Sequence, residues 1–246
     1  MIYLYDGSFD GFLCCVYQHY YFEKAEGIEP MNDRMQEGLL AEMVIQTNEA
    51  ISSRVYTGLR RRLGQTITDH LYKAFISTMT GKEMQLLQYL ELCLQRGTAA
   101  DRVETDPRIH VIHQASRRVG REIEHFMGWL RFIEIHGILY AIYEPEGDIT
   151  ASLMPHFADR LPREAFIIHD FGRRKAGVCA AGRWEERPFD HDLRRLRDQQ
   201  EFLREKAWQT YFRHIAIPER ENLDLQQQFV PLKRREYMTE FTGEGA

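Results

Sequence analysis

The chain has 246 residues, 43% hydrophobic and 12% aromatic, enough for one large core or two small ones. Its 32 basic and 37 acidic residues leave a net charge of −5, which excludes a purely charge-driven nucleic-acid binder. No stretch approaches the roughly 18 apolar residues of a membrane span, and no basic start leads into an apolar leader, so the expectation is a cytoplasmic protein with no membrane association.

Met1–Tyr5 alternates apolar residues and meets Asp6-Gly7-Ser8, after which Phe9, Leu13, Val16 and Tyr20 recur at helical spacing. That pattern predicts a short strand turning sharply into an amphipathic helix. After a break at Gly27–Pro30 and a polar segment, Asn48 is positioned to cap a helix over 49–63, which Gly64 ends. A second helix is predicted from about Thr66 to Thr78. A third follows Gly81, carries Met84, Leu87, Leu90 and Leu94, and stops at Gly97. Asp106-Pro107 announces a fourth, with Ile109, Ile112, Val119, Ile123 and Phe126 on one face.

The pattern changes after Gly128. Trp129–Ile135 and Ile138–Tyr143 flank His136-Gly137 as one hairpin; Ala165–His169 and Ala176–Ala180 flank Phe171-Gly172-Arg173-Arg174 as a second. Residues 155–162 predict one short helix. A long helix is expected from Asp190 to about Phe212, with Leu193, Leu196, Leu203, Ala207 and Tyr211 inward. The fold class is therefore read as α+β. A helical region over about 1–127 precedes a small antiparallel sheet of two hairpins and closing helices over about 128–241. Residues 1–241 form one domain on this reading, and 242–246 a disordered tail.

Candidate chemistry is scattered. Cys14, Cys15, Cys93 and Cys179 have neither metal nor redox spacing, so reduced, mostly buried thiols are expected. Arg118, Glu122 and His125 share a helical strip, where Glu122 and His125 offer an acid/base pair; an ordinary helix surface or a salt link explains them too. A second Glu-x-x-His unit, which a helical di-metal site needs, is missing. His110 and His113 lie three apart without an assignable third ligand, and the expectation is no metal. Asp6, Gly7 and Ser8 read as a helix cap, an anion-binding turn or an active-site elbow, although Gly-x-Ser-x-Gly is not met. Arg117, Arg118 and Arg121, and Arg173, Arg174 and Lys175 at a hairpin tip, are candidates for nucleic-acid phosphate, with Phe171 able to stack beside the tip; solvated surface charge is the plainer account. Arg220 and Asn222, on a late loop, are donors suited to phosphate or base edges, or a structural clamp. Together with the Arg118–His125 strip they are expected to face one cleft.

The opening Tyr5-Asp6-Gly7-Ser8-Phe9 and a closing pattern of Trp208, Tyr211, Ile217-Pro218, Arg220, Asn222, Phe229-Val230-Pro231 and Tyr237 carry a family likeness, and Phe132–Pro145 also fits it. In these segments the chain resembles the bacterial "probable DNA metabolism protein" family, nearly end to end. The resemblance implies a role in DNA modification or repair. Members are commonly encoded beside a DNA-modifying radical enzyme that uses S-adenosylmethionine, and some carry a domain resembling a uracil-DNA glycosylase. The chain itself lacks the radical-enzyme cysteine triad, so the S-adenosylmethionine and the iron–sulfur cluster are expected in the partner and no cofactor in this chain. The leading expectation is an accessory protein that binds DNA and works with a radical SAM protein. The alternatives are an enzyme acting on a nucleotide or damaged DNA by acid/base chemistry, and a protein-only scaffold.

Overall fold

The first strand, β1 (Ile2–Tyr5), is the middle of a three-stranded sheet, with Tyr3 and Tyr5 completely buried. In this computed structural model residues 1–31, 41–196, 199–215 and 223–241 are described. The chain divides into two compact units, Met1–Arg121 and Glu122–Ala246. The fold is mixed α+β, and no described helix is long and apolar enough to cross a membrane.

In the amino-terminal unit, β1 leads into α1 (Phe9–Tyr21), capped by Ser8 as its sequence predicts. Burying Phe12 and Leu13 on α1 contributes about 2–3 kcal/mol each. β2 (Gly27–Pro30) and β3 (Glu42–Val44) pair with β1 on either side, both parallel to it, placing Tyr3 opposite Ile28 and Met43. This corrects the expectation of a helical region without a sheet. Parallel partners are joined by crossovers rather than tight turns, so no hairpin signal marks them.

α2 (Glu49–Phe75) begins at the Asn48 cap and breaks at Gly64, whose φ of 83° and ψ of 174° are non-helical. Tyr56 and Tyr72, one from each half, lie 6.3 and 5.2 Å from the same Phe9 ring. A straight helix would hold them about 24 Å apart, so the chain folds back at Gly64. α3 (Lys82–Arg96) buries Leu86, Leu87, Tyr89 and Leu90, and its buried Glu83 accepts a hydrogen bond from Tyr5 Oη at 2.9 Å. A 3₁₀ turn at Thr98–Arg102 precedes α4 (Pro107–Trp129), where the division between the units falls. The apolar positions expected on α4, from Ile109 to Phe126, are all buried.

The carboxyl-terminal unit is built on a mixed five-stranded sheet in the order β4-β5-β6-β7-β8. Both expected hairpins are present: β4 (Ile133–Ile135) with β5 (Ile138–Tyr143), and β6 (Phe166–Asp170) with β7 (Lys175–Ala180). The expectation of a purely antiparallel sheet is corrected, because β5 and β6 run parallel. α5 (Thr150–Arg160) supplies the crossover that parallel neighbours require. β8 (Arg183–Pro188) then adds an antiparallel edge that the sequence reading lacked. Met154 of α5 packs onto the sheet so closely that a Cβ on Gly177 would lie 2.2 Å from its Sδ. On the other face Ile133, Ile135, Tyr140 and Ile142 form a core with Ile167, Phe189, Leu193 and Tyr237.

The expected helix from Asp190 is also corrected. A 3₁₀ turn occupies Leu193–Leu196, and α6 spans Gln199–Ile215. Asp192 stops a continuous helix by accepting from Arg194 N at 3.0 Å, a local turn that competes with helical pairing. Leu196, Leu203 and Tyr211, expected inward, are 56%, 59% and 55% exposed, and Ala207 is exposed as well. Short helices α7 (Leu223–Phe229) and α8 (Leu232–Arg235) follow. The expected tail, 242–246, lies outside the described residues.

Candidate functional site

The Asp6-Gly7-Ser8 turn sits at the carboxyl end of β1, with Gly7 at φ +83°. Asp6 Oδ1 accepts from Ser8 N at 2.9 Å and Ser8 Oγ at 2.6 Å, and Oδ2 accepts from Thr47 Oγ1 at 2.7 Å. Ser8 Oγ in turn accepts from Gly11 N at 2.9 Å. Burial pushes the Asp6 carboxyl upward, but these hydrogen bonds outweigh it and hold the group below its ordinary value. Every polar atom of the turn named here is engaged in fixing the start of α1.

Glu122 and His125 occupy the expected strip but do different things. Glu122 accepts from the backbone N–H of Glu146 at 2.6 Å and Gly147 at 2.9 Å, and Arg234 Nη2 lies 3.4 Å away. His125 is exposed and stacks on Trp129, ring centroids 4.6 Å apart. Arg117 pairs with Glu104 at 3.1 Å, Arg121 donates to Arg117 O at 3.4 Å, and Arg118 is exposed.

At the β6–β7 tip the three basic residues meet acids. Arg173 pairs with the buried Asp170 at 3.0 Å and reaches the carbonyls of Pro145 and Glu146. Burial pushes the Asp170 carboxyl up, against the pull of Arg173. Lys175 bridges Asp148 at 2.5 Å and Glu186 at 2.8 Å. Arg174 stays 77% exposed, with Asp190 at 3.7 Å. Arg220 and Asn222 fall outside the described residues, and so does the expected cleft they were to share.

Two arrangements invisible in the sequence emerge. The first is a cleft of about 690 Å³ in the carboxyl-terminal unit, lined by Arg131, Tyr140, Asp192, Arg194, Arg195 and Tyr237 among others. Asp192 holds Arg194 through two oxygens, the shorter contact 2.7 Å, and the Arg194 guanidinium lies 5.8 Å from the Tyr237 ring centre. Glu240 holds Arg131 at 2.6 Å. Arg195 is exposed and has no ion pair among the described residues. Tyr140 Oη is 2.7 Å from Nδ1 of the completely buried His169, whose Nε2 has no hydrogen-bond partner among the described residues. Burial lowers the His169 pKa below the ordinary imidazole value.

The second arrangement is a histidine–carboxylate cluster in the amino-terminal unit. One ligand atom from each of His70, Asp101 and His113 lies within 4.8 Å of the other two. α2 supplies His70, the 3₁₀ turn Asp101 and α4 His113. Asp101 Oδ1 is 2.7 Å from His113 Nε2, 2.7 Å from Tyr89 Oη and 3.4 Å from His70 Nδ1. Burial works to raise the Asp101 pKa, yet His113, Tyr89 and His70 together bring it below the ordinary carboxylate value. His110, the sequence companion of His113, is exposed and stands apart from the cluster.

A family profile described as a domain of unknown function, DUF4130, matches residues 80–240. The chain belongs to this family. The DUF4130 region takes in the whole cleft and supplies Tyr89, Asp101 and His113, whereas His70 precedes it. Among solved structures, the pGpG-specific phosphodiesterase PggH from Vibrio cholerae is similar at 9% identity and a TM-score of 0.36, over 72% of this chain and 80% of that one. No curated protein matches the DUF4130 chain.

Neither arrangement has a local sequence signal. His70 and Asp101 are 31 positions apart, and Asp101 and His113 are 12 apart. Tyr140 and Tyr237 meet in the cleft from opposite ends of their unit.

Proposed function

We propose that this DUF4130 protein is an accessory factor of DNA modification or repair whose carboxyl-terminal unit holds nucleic-acid phosphate in the cleft around Arg195. The observation that carries the reading is that three guanidinium groups and the half-buried Tyr237 ring share one cleft of nucleotide-sized volume. Guanidinium forks suit phosphate oxygens, and the Tyr237 ring suits the flat face of a base. Arg194 and Arg131 are held by Asp192 and Glu240, so they enter the contact already oriented. Arg195, exposed and without an ion pair among the described residues, supplies the uncommitted guanidinium of a lining that also holds Glu205 and Glu236. The radical SAM protein of the family resemblance would carry out the chemistry, with this chain presenting the DNA. The expected basic tip, Arg173 to Lys175, contributes less because Arg173 and Lys175 are held by acids and the largely exposed Arg174 has Asp190 beside it.

The test is fluorescence anisotropy with a short single-stranded DNA at low salt. Micromolar, salt-sensitive binding is expected, and Arg195→Glu should weaken it at least tenfold. Binding that Arg195→Glu leaves unchanged, or none at micromolar protein with and without the radical SAM protein, overturns the reading. A second reading, an enzyme in its own right, is favoured by the histidine–carboxylate cluster.

A further inference from the structure

We infer that His70, Asp101 and His113 form a binding site for one borderline divalent metal ion, of the zinc or iron(II) class, with a coordination position left for water. The inference is independent of the cleft, which lies in the other unit.

The donor set is the first argument. Two imidazole nitrogens and one carboxylate oxygen suit zinc, iron and their neighbours, whereas magnesium and calcium take oxygen ligands. Around an ion bound at about 2.0–2.2 Å, tetrahedral ligand atoms stand roughly 3.3–3.6 Å apart. His70 Nδ1 and Asp101 Oδ1 are already 3.4 Å apart. His113 Nε2 and Asp101 Oδ1, at 2.7 Å, need to separate by roughly 0.6–0.9 Å.

The surroundings are the second argument. A ligating histidine needs its other nitrogen held, which fixes both tautomer and ring plane. Glu104 does this for His113: its Oε1 lies 3.3 Å from His113 Nδ1, leaving Nε2 to face Asp101. Arg117 holds Glu104 from the far side at 3.1 Å. Tyr89, completely buried, donates to Asp101 Oδ1 and fixes the carboxylate. Glu104, Arg117 and Tyr89 are positioning residues on this account.

Access is the third argument. The side chains of Asp101 and His113 are 10% and 9% exposed, but that of His70 is 25% exposed. One side of the cluster therefore opens to solvent. Three protein ligands with an open fourth direction describe a site that binds a water or substrate oxygen, unlike the closed four-ligand sites that serve only structure.

The full chain, stripped with chelator and dialysed, is titrated with Zn²⁺ by calorimetry and with Co²⁺ by visible absorption. One ion per chain with micromolar or tighter affinity is expected, with cobalt bands of a low-coordinate site. His70→Gln, Asp101→Asn and His113→Gln should each weaken binding at least tenfold, and Glu104→Gln should weaken it less. His70 is the most exposed ligand, so His70→Gln should keep the melting profile and remains informative if the other variants unfold. No binding at a hundredfold excess of zinc, or binding that His70→Gln leaves unchanged in a folded protein, overturns the inference and leaves Asp101 as a hydrogen-bonding hub.

Discussion

Replacing Glu122 by alanine tests whether this carboxylate is a loop anchor or a chemical group. Its side chain is 12% exposed and accepts two backbone N–H groups, at 2.6 and 2.9 Å, from the loop after β5. Hydrogen bonds to a charged acceptor contribute about 1.5–3 kcal/mol each. Arg234, itself 11% exposed, would also lose its nearby carboxylate. Because the loop can relax outward, the lower end of the sum applies, about 3 kcal/mol. In a unit of this size that lowers the melting temperature by about 10 °C. Glu122→Gln keeps one acceptor oxygen and should lose about half as much. His125→Ala, at an exposed stacked ring, should cost under about 1 kcal/mol. Scanning calorimetry of the full chain reads these shifts, and anisotropy reads DNA binding of the folded fraction. A Glu122→Ala protein that melts like wild type but has lost DNA binding would refute the anchor and make the carboxylate functional.

His169 predicts an acid-sensitive carboxyl-terminal unit: its folded pKa is depressed, so its contribution to stability is complete above the unfolded value near 6.5 and is lost as pH falls through the folded one. His169→Gln should show a smaller drop in urea midpoint between pH 7.5 and pH 5 than wild type; equal drops would count against it. All four cysteines are buried, and burial pushes Cys15 up to about 12 and Cys93 to about 11, so iodoacetamide should leave the native protein unmodified at neutral pH while modifying it in urea. Rapid native labelling of Cys14, Cys15 or Cys93 would show the amino-terminal core to be open. Gly11→Ala would place a Cβ 2.4 Å from Asp6 Oδ1 and 2.8 Å from Thr47 Oγ1, and should cost about 1–3 kcal/mol despite alanine's better helix propensity. A melting temperature at or above wild type would mean that the turn can move aside.

Local chemistry was legible in the chain and distant pairing was not. Asn48, Ser8 and Gly64 act within a few residues of themselves, and the structure uses each as its sequence neighbourhood predicts. His136-Gly137 and the Phe171–Arg174 turn likewise announce two hairpins, since an antiparallel turn lies between the strands it joins. β2 and β3 have no such marker: each is three or four residues long, and each is defined by lying beside β1. The Arg118–His125 strip was correctly placed on a helix, but helical spacing cannot reveal that backbone N–H groups from Glu146 and Gly147 occupy Glu122. His113 has His110 as its sequence neighbour, but its companions His70 and Asp101 come from other elements.

The outer strand of the five-stranded sheet bears on how the protein behaves in a crowded solution. β8 is exposed along its whole length and leaves one row of backbone groups facing outward, the kind of border onto which a foreign strand can zip. Its sequence is Arg183-Trp184-Glu185-Glu186-Arg187-Pro188. An incoming chain would have to accommodate charges of both signs, and it would meet a proline that offers no N–H at the far end. The border thus discourages recruitment of a second copy even where Trp184 offers an apolar foothold. Stripping the charges from Arg183, Glu185 and Arg187 would leave the interior of the sheet intact and turn that border into a seed for fibrous self-association.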